Sequence, residues 1–172
     1  MNADEILDLD ELLDLVDDDD HVIEQLPRRE VYRRKLSNFR VVNAFVRNAR
    51  GQLWIPRRNA QKQLFPLHLD VTVGGHVQAG ESYDHALIRE AREEMYLELI
   101  PAQFTRLAYL TPQQHGVSAF MWLYEIPLER NPRFNTADFV SAEWLSPAAL
   151  QRRLQWGERA KSDLPTLLEY MG

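Results

Sequence analysis

The chain has 172 residues, enough for one domain with a real core, and its 45% hydrophobic and 27% charged content is ordinary for a globular protein. A formal charge of −6 speaks against a stable nucleic-acid partner, which needs a basic surface. The absence of cysteine excludes disulfides, thiolate metal sites and a cysteine nucleophile, and favours the cytoplasm.

The first twenty residues, MNADEILDLDELLDLVDDDD, lack the basic start and unbroken apolar stretch of a secretory signal. They read as an acidic segment that frays, with Leu12, Leu13, Leu15 and Val16 marking a short edge strand or helix. Asp17 to Asp20 read as a solvated turn rather than a metal site, because aspartate bonds its own backbone locally. Bases crowd residues 28–62, mostly on a solvated face, with the remainder able to line a site for an anion. Residues 21–25 have strand character. Residues 39–47 and 52–57, with a turn at 48–51 between them, have the pattern of a hairpin. Residues 69–73 read as a strand ended by Gly74 and Gly75. A helix is expected from Tyr83 to about Met95, a run with no glycine or proline. Strands resume near residues 104–110, 117–126 and 139–144. Ser146 is a plausible N-cap for a helix starting at Pro147, and a last short helix follows Pro165. No apolar run is long enough to cross a bilayer, so no membrane association is expected. The mixture implies an α/β sandwich around a mixed sheet.

The informative segment is GHVQAGESYDHALIREAREEMYL, residues 75–97. A glycine turn feeds the helix that carries Glu90, Glu93 and Glu94. Spacings of three and four place these carboxylates on one face, where they would repel unless a hard divalent cation lay among them. Arg89 offsets part of that charge, and Glu81 is its natural partner. A solvated Glu/Arg helix has the same composition, so the flanking residues decide.

Those residues resemble the Nudix box, G-x5-E-x7-R-E-U-x-E-E-x-G-U, with U aliphatic. Gly75, Glu81, Arg89, Glu90, Glu93 and Glu94 fall at the required positions, Ala91 and Leu97 fit as U, and Tyr96 replaces the second glycine. A match with one miss arises by chance in roughly one chain in ten thousand of this length. The likeness extends through LWIPRRNAQK, FPLHLD and FVSAEWLSPAAL, and looks like the branch related to isopentenyl diphosphate isomerase. It implies one Nudix-type α/β/α sandwich over residues 1–172 and a MutT-like enzyme that hydrolyses a diphosphate bond. The expected substrate is a small molecule, a nucleoside di- or triphosphate or related nucleoside diphosphate compound.

By the same resemblance Glu90, Glu93, Glu94 and the carbonyl of Gly74 hold Mg²⁺, with Mn²⁺ as a substitute. Glu93, Glu90 and Arg89 serve catalysis, Gly75 and Glu81 shape the motif, and Arg58 and Lys62 bind the diphosphate. Glu125 and Glu143 are bases that could act from outside the box. His76 is a metal ligand in the isomerase branch and a packing residue otherwise. Trp54, Trp122, Trp144, Phe65 and Tyr83 could stack a base but are more often core. Tyr96 puts at risk a left-handed helix end that glycine favours. Two other readings stay open. An isomerase-like enzyme is disfavoured because the cysteine that isomerase uses is replaced by Gly74. A non-catalytic nucleotide-binding module is disfavoured because the glutamates are intact. A monomer and a homodimer are both compatible with the sequence.

Overall fold

The computed structural model of the chain describes residues 10–172. In chain order the elements are β1 (Leu12–Val16), β2 (Val22–Pro27), α1 (Arg28–Arg33), β3 (Arg40–Arg47), β4 (Leu53–Arg58), β5 (Val73–His76), α2 (Tyr83–Met95), β6 (Thr105–Leu110), α3 (Pro112–His115), β7 (Phe120–Pro127), β8 (Phe139–Leu145), α4 (Pro147–Gln155) and α5 (Leu164–Leu168).

Alternation along two strands explains the layering. On β3, Val42, Ala44 and Val46 join one apolar cluster while Phe45 joins another. On β7, Tyr124 and Ile126 join the first and Met121 and Leu123 the second. A period of two with both phases apolar marks a sheet covered on both faces. Helix α2 covers the first face through Ala86, Leu87, Ala91 and Met95. Helices α4 and α5 cover the second through Leu150, Leu164, Leu167 and Leu168. Each fully buried leucine or phenylalanine contributes about 1.5–3 kcal/mol relative to exposure. The result is the expected α/β/α sandwich around a mixed sheet, ordered β6-β7-β3-β4-β8, with β5 also paired to β3. The β3–β7 pair is parallel, with Arg40 opposite Phe120, and the other neighbours are antiparallel.

The expected hairpin is corrected in its extent. β3 and β4 pair only where the turn closes, at Arg47 and Leu53. Beyond that point they diverge, and residues 68–76 fill the gap. His68 O and Asp70 N bond the backbone of Arg58 and Pro56 on β4. The chain then crosses, and residues Val73 to His76 pair with β3. Buried Thr72 sits at the fork, where its hydroxyl donates to Trp54 O at 2.7 Å and accepts from Val46 N at 2.9 Å. The strand expected over 69–73 is therefore a crossing segment, and the glycine pair belongs to β5 instead of ending a strand.

Residues 10–20 of the segment expected to fray include β1, with Leu13, Leu15 and Val16 buried and β2 paired alongside. Residues 1–9 lie outside the described residues. Asp17 accepts from the backbone of Asp19 and His21, the expected turn. The short helices α1 and α3 were not anticipated. Among the described residues, no helix is long and apolar enough to cross a membrane.

Helix α2 spans the expected residues. Ser82 caps it, accepting from His85 N. At its end Tyr96 adopts the left-handed conformation, φ 49°, while Leu97 N donates to Ala91 O at 3.2 Å. The motif's turn thus survives without glycine, at a backbone cost of about 1 kcal/mol. The guanidinium of Arg133 lies 5.4 Å from the Tyr96 ring centroid, a contact that offsets roughly half of it at an exposed site. Tyr96→Gly is therefore expected to unfold at the same or a higher urea concentration. A loss above about 1 kcal/mol would show that the ring contributes more than its backbone costs.

Candidate active site

The site forms where β5 meets α2. A Cβ built on Gly75 would stand 2.2 Å from the Glu90 carboxylate, so only glycine leaves room for that side chain. A Cβ on Gly74 would stand 3.1 Å from both the Asn43 and Val71 side chains. Neither glycine is there for an unusual φ; both are there for space. Gly74 N donates to the Glu94 carboxylate at 3.0 Å.

Arg89 holds the turn between β5 and α2. Its Nε and one Nη donate to the two Glu81 oxygens, each at 2.8 Å. The same Nη reaches His76 O at 2.9 Å, and the other donates to Glu90 at 2.8 Å and more distantly to Glu93 at 3.4 Å. Glu81 in turn accepts from Gln78 N at 2.9 Å. This fork-on-fork pairing is geometrically specific in a way a lysine could not match. Arg89, expected among the catalytic groups, directs its N–H groups at protein acceptors that frame the site, which is the geometry of a positioning residue.

The three glutamates do not form one tight cage. Among the described residues, no group of three or more histidine, aspartate and glutamate side chains could hold a metal by itself. Each carboxylate has a different partner. Glu90 lies against Gly75 and Arg89, Glu94 against Gly74 N, and the Glu93 side chain is 57% exposed at the rim. Burial pushes the Glu90 carboxyl up to about 8 in spite of Arg89, with Glu93 adding to the rise. Burial also holds Glu94 well above the usual carboxylate range, and Glu90, Asp138 and Asp70 push it further in the same direction. Glu94 forms no ion pair among the described residues, and a half-buried carboxylate surrounded by acids calls for a cation. The pair Glu90 and Glu94, with Gly74 beside them, therefore fits a hard divalent ion that keeps several of its waters.

These groups line a cleft of about 780 Å³. Arg58 and Lys62, the residues expected to bind substrate, line it too, and each has an acidic partner. Arg58 pairs with Asp70 and Lys62 with Asp138, both at 2.8 Å. Acidic side chains outnumber basic ones around the cleft, so when Glu90 and Glu94 are ionised a phosphate anion needs a cation to enter with it. Sequence reasoning missed Asp70, Asp138, Tyr32 and Lys161. They come from loops and α1, and no motif marks them.

Other candidates sit elsewhere. Glu125 pairs with Arg47 and Glu143 with Arg153, and neither lines the cleft. Trp54 is core, Trp122 lies beneath Arg106, Trp144 donates to Asn131, and Tyr83 donates to Asp20. Phe65 does line the cleft. His76 stacks on Phe39 with centroids 5.5 Å apart, and its Nε2 is 2.8 Å from the Tyr32 hydroxyl. Burial, then Arg28, Lys161 and Arg89, hold its pKa well below the ordinary value, so the ring is neutral.

The chain is similar to known proteins over most of its length. Residues 37–164 match the model of the NUDIX domain. An uncharacterized Nudix hydrolase of Nostoc sp. is 53% identical over 159 residues, covering 92% of this chain and 94% of that one. A Nudix hydrolase of Deinococcus radiodurans is 48% identical over 159 residues, covering 92% of each. A crystal structure from Deinococcus radiodurans, 48% identical, superposes with a TM-score of 0.86 over 92% of this chain and 98% of that one. A MutT Nudix hydrolase from Burkholderia pseudomallei shares the fold at 17% identity, with a TM-score of 0.60 over 77% of this chain and 97% of that one.

Two outcomes follow. Gly75→Ala displaces the Glu90 carboxylate, the far end of a flexible side chain, so the protein is expected to fold but to bind Mn²⁺ about 10–100-fold more weakly by calorimetry. The second concerns pH. Glu90 and Glu94 have folded pKa values raised above their unfolded value of 4.5, so their contribution is complete below that value. It is lost as pH rises through about 8 for Glu90. Protein stripped of divalent metal should therefore melt at a lower temperature at pH 9 than at pH 5. Mg²⁺ should raise the melting temperature more at the higher pH, and Glu94→Gln should reduce the difference.

Proposed function

Because this chain belongs to the Nudix hydrolase family, we propose that it hydrolyses the diphosphate bond of nucleoside di- or triphosphates with the help of Mg²⁺, or of Mn²⁺ in its place. Hydrolases of this family act on small molecules and use divalent metals. The observation that carries the finer reading is the half-buried carboxylate pair Glu90 and Glu94, packed on Gly75 and Gly74 and lacking enough positive charge.

In this reading Glu90, Glu94 and the Gly74 carbonyl hold the ion. A divalent cation bound there polarises the phosphoryl oxygens as a Lewis acid and neutralises their charge. Glu93 stands at the rim with only a long contact to Arg89, which suits it to take the proton of the attacking water. Arg89 keeps Glu90 aimed and the glycine turn closed. Arg58 and Lys62 exchange Asp70 and Asp138 for phosphate oxygens as substrate arrives, orienting the diphosphate. Water adds to one phosphorus, the bridging oxygen leaves with the other phosphate, and the proton passes to Glu93. An isomerase-like reaction is unsupported, since the chain has no cysteine.

The test is a panel of nucleoside di- and triphosphates and isopentenyl diphosphate with Mg²⁺ or Mn²⁺, products resolved by chromatography. Nucleoside monophosphate with phosphate or diphosphate is the expected result. Glu93→Gln should lower kcat about 10²–10⁴-fold while Mn²⁺ still binds, whereas Glu94→Gln should weaken Mn²⁺ itself. Nucleotide binding that survives both changes, with no turnover by the wild type, would make the chain a binding module instead.

A further inference from the structure

The basic side chains that line the cleft differ in how they are neutralised. Arg28 has Glu11 at 3.8 Å, Arg58 has Asp70, Lys62 has Asp138, and Arg89 has Glu81 and Glu90. Lys161 also lines the cleft, yet among the described residues it forms no ion pair. The acid nearest it in sequence, Asp163, is turned to Ser118, accepting from its backbone N and its hydroxyl.

Its backbone is fixed all the same. Lys161 N donates to Leu69 O at 2.9 Å, Leu69 N donates to Arg159 O at 2.9 Å, and Leu69 bridges Ala160 in parallel. Lys161 O accepts from Leu164 N at 3.0 Å, opening α5. Leu69 and Leu164 are both core residues. The loop between α4 and α5 is thus stitched to the crossing segment that leads into Gly74, and its Lys161 lines the same cleft as the glutamates of α2. The charge of Lys161 is felt at His76, the residue after Gly75. Many acids line this cleft, so a lysine left without one among the described residues has a charge available to a substrate's anion.

We propose that Lys161 is a substrate-binding residue that grips a phosphate oxygen of the diphosphate from the loop between α4 and α5, so that the anion is held between this ammonium and the metal-holding glutamates. The proposal rests on the diphosphate-hydrolase reading and adds to it a contact outside the motif. As a compact point charge, lysine tolerates different phosphate orientations, so Lys161 reads the charge of the anion and not the identity of the organic group.

Two variants test it. Lys161→Gln removes the charge and Lys161→Arg keeps it. Both leave the backbone hydrogen bonds to Leu69 and Leu164 intact, and circular dichroism should match the wild type. Inorganic diphosphate binding in Mg²⁺, followed by calorimetry, should weaken about tenfold or more in Lys161→Gln and recover most of that in Lys161→Arg. KM for the best nucleotide should rise by a similar factor with kcat within about twofold, and the salt dependence of kcat/KM should flatten. Unchanged diphosphate affinity in Lys161→Gln overturns the proposal. So does a loss confined to kcat, which would give Lys161 a role in the chemical step alone. Should the wild type bind diphosphate through Lys161 but cleave no nucleotide, the hydrolase reading fails and this contact stands.

Discussion

The guanidinium of Arg89 joins groups that the chain would otherwise hold apart. It grips both Glu81 oxygens, the His76 carbonyl and the Glu90 carboxylate. The turn between β5 and α2 is therefore tied at its start, its middle and its far side by one planar group. Glu90 can then sit where a Cβ on Gly75 would collide with it, and Glu94 can accept the Gly74 amide. A carboxylate pressed on backbone in a half-buried place is costly, and a positioned cation is the physical answer. Arg89 supplies part of that charge to Glu90. Glu94 has no such partner.

The sheet makes this arrangement possible by parting. β3 and β4 separate after Leu53, and the crossing segment enters the fork, tied by Thr72 to both strands. The glycine pair arrives at the centre of the sheet directly beneath the glutamate helix. The same segment contributes Asp70, the counter-ion of Arg58, and anchors the Lys161 loop through Leu69. The floor of the cleft, one of its acids and the footing of one of its cations all descend from nine residues, 68–76. Internal counter-ions keep Arg58 and Lys62 in place before any anion arrives, at the expense of having to be displaced by it.

What the sequence disclosed followed from short-range geometry. Helix α2 and its glutamates were legible because helical spacing dictates which side chains share a face. Arg89 with Glu81 was legible because the box fixes their separation. The three-glutamate cage was not as drawn. Spacing places carboxylates near one another, but their separate hydrogen-bond partners decide where each one points. The crossing at 68–76 was illegible, since an apolar run does not say which strand it will join. Asp138, Tyr32 and Lys161 were missed because distant loops bring them to the cleft and no local pattern distinguishes them. Tyr96 shows the converse: a motif position lost its usual residue, yet the backbone kept the conformation the motif needs.

The parallel pairing of β3 with β7 bears on the order of assembly. Arg40 finds its partner in Phe120, and no short turn can join such strands. As the chain leaves the ribosome, β3 is synthesised long before its central neighbour. Its edge toward β7 must wait, open, while α2 is made. The nascent molecule thus carries a central strand with one edge unpaired until β7 follows it, so the sheet's completion depends on the fold's wiring as much as on its final stability.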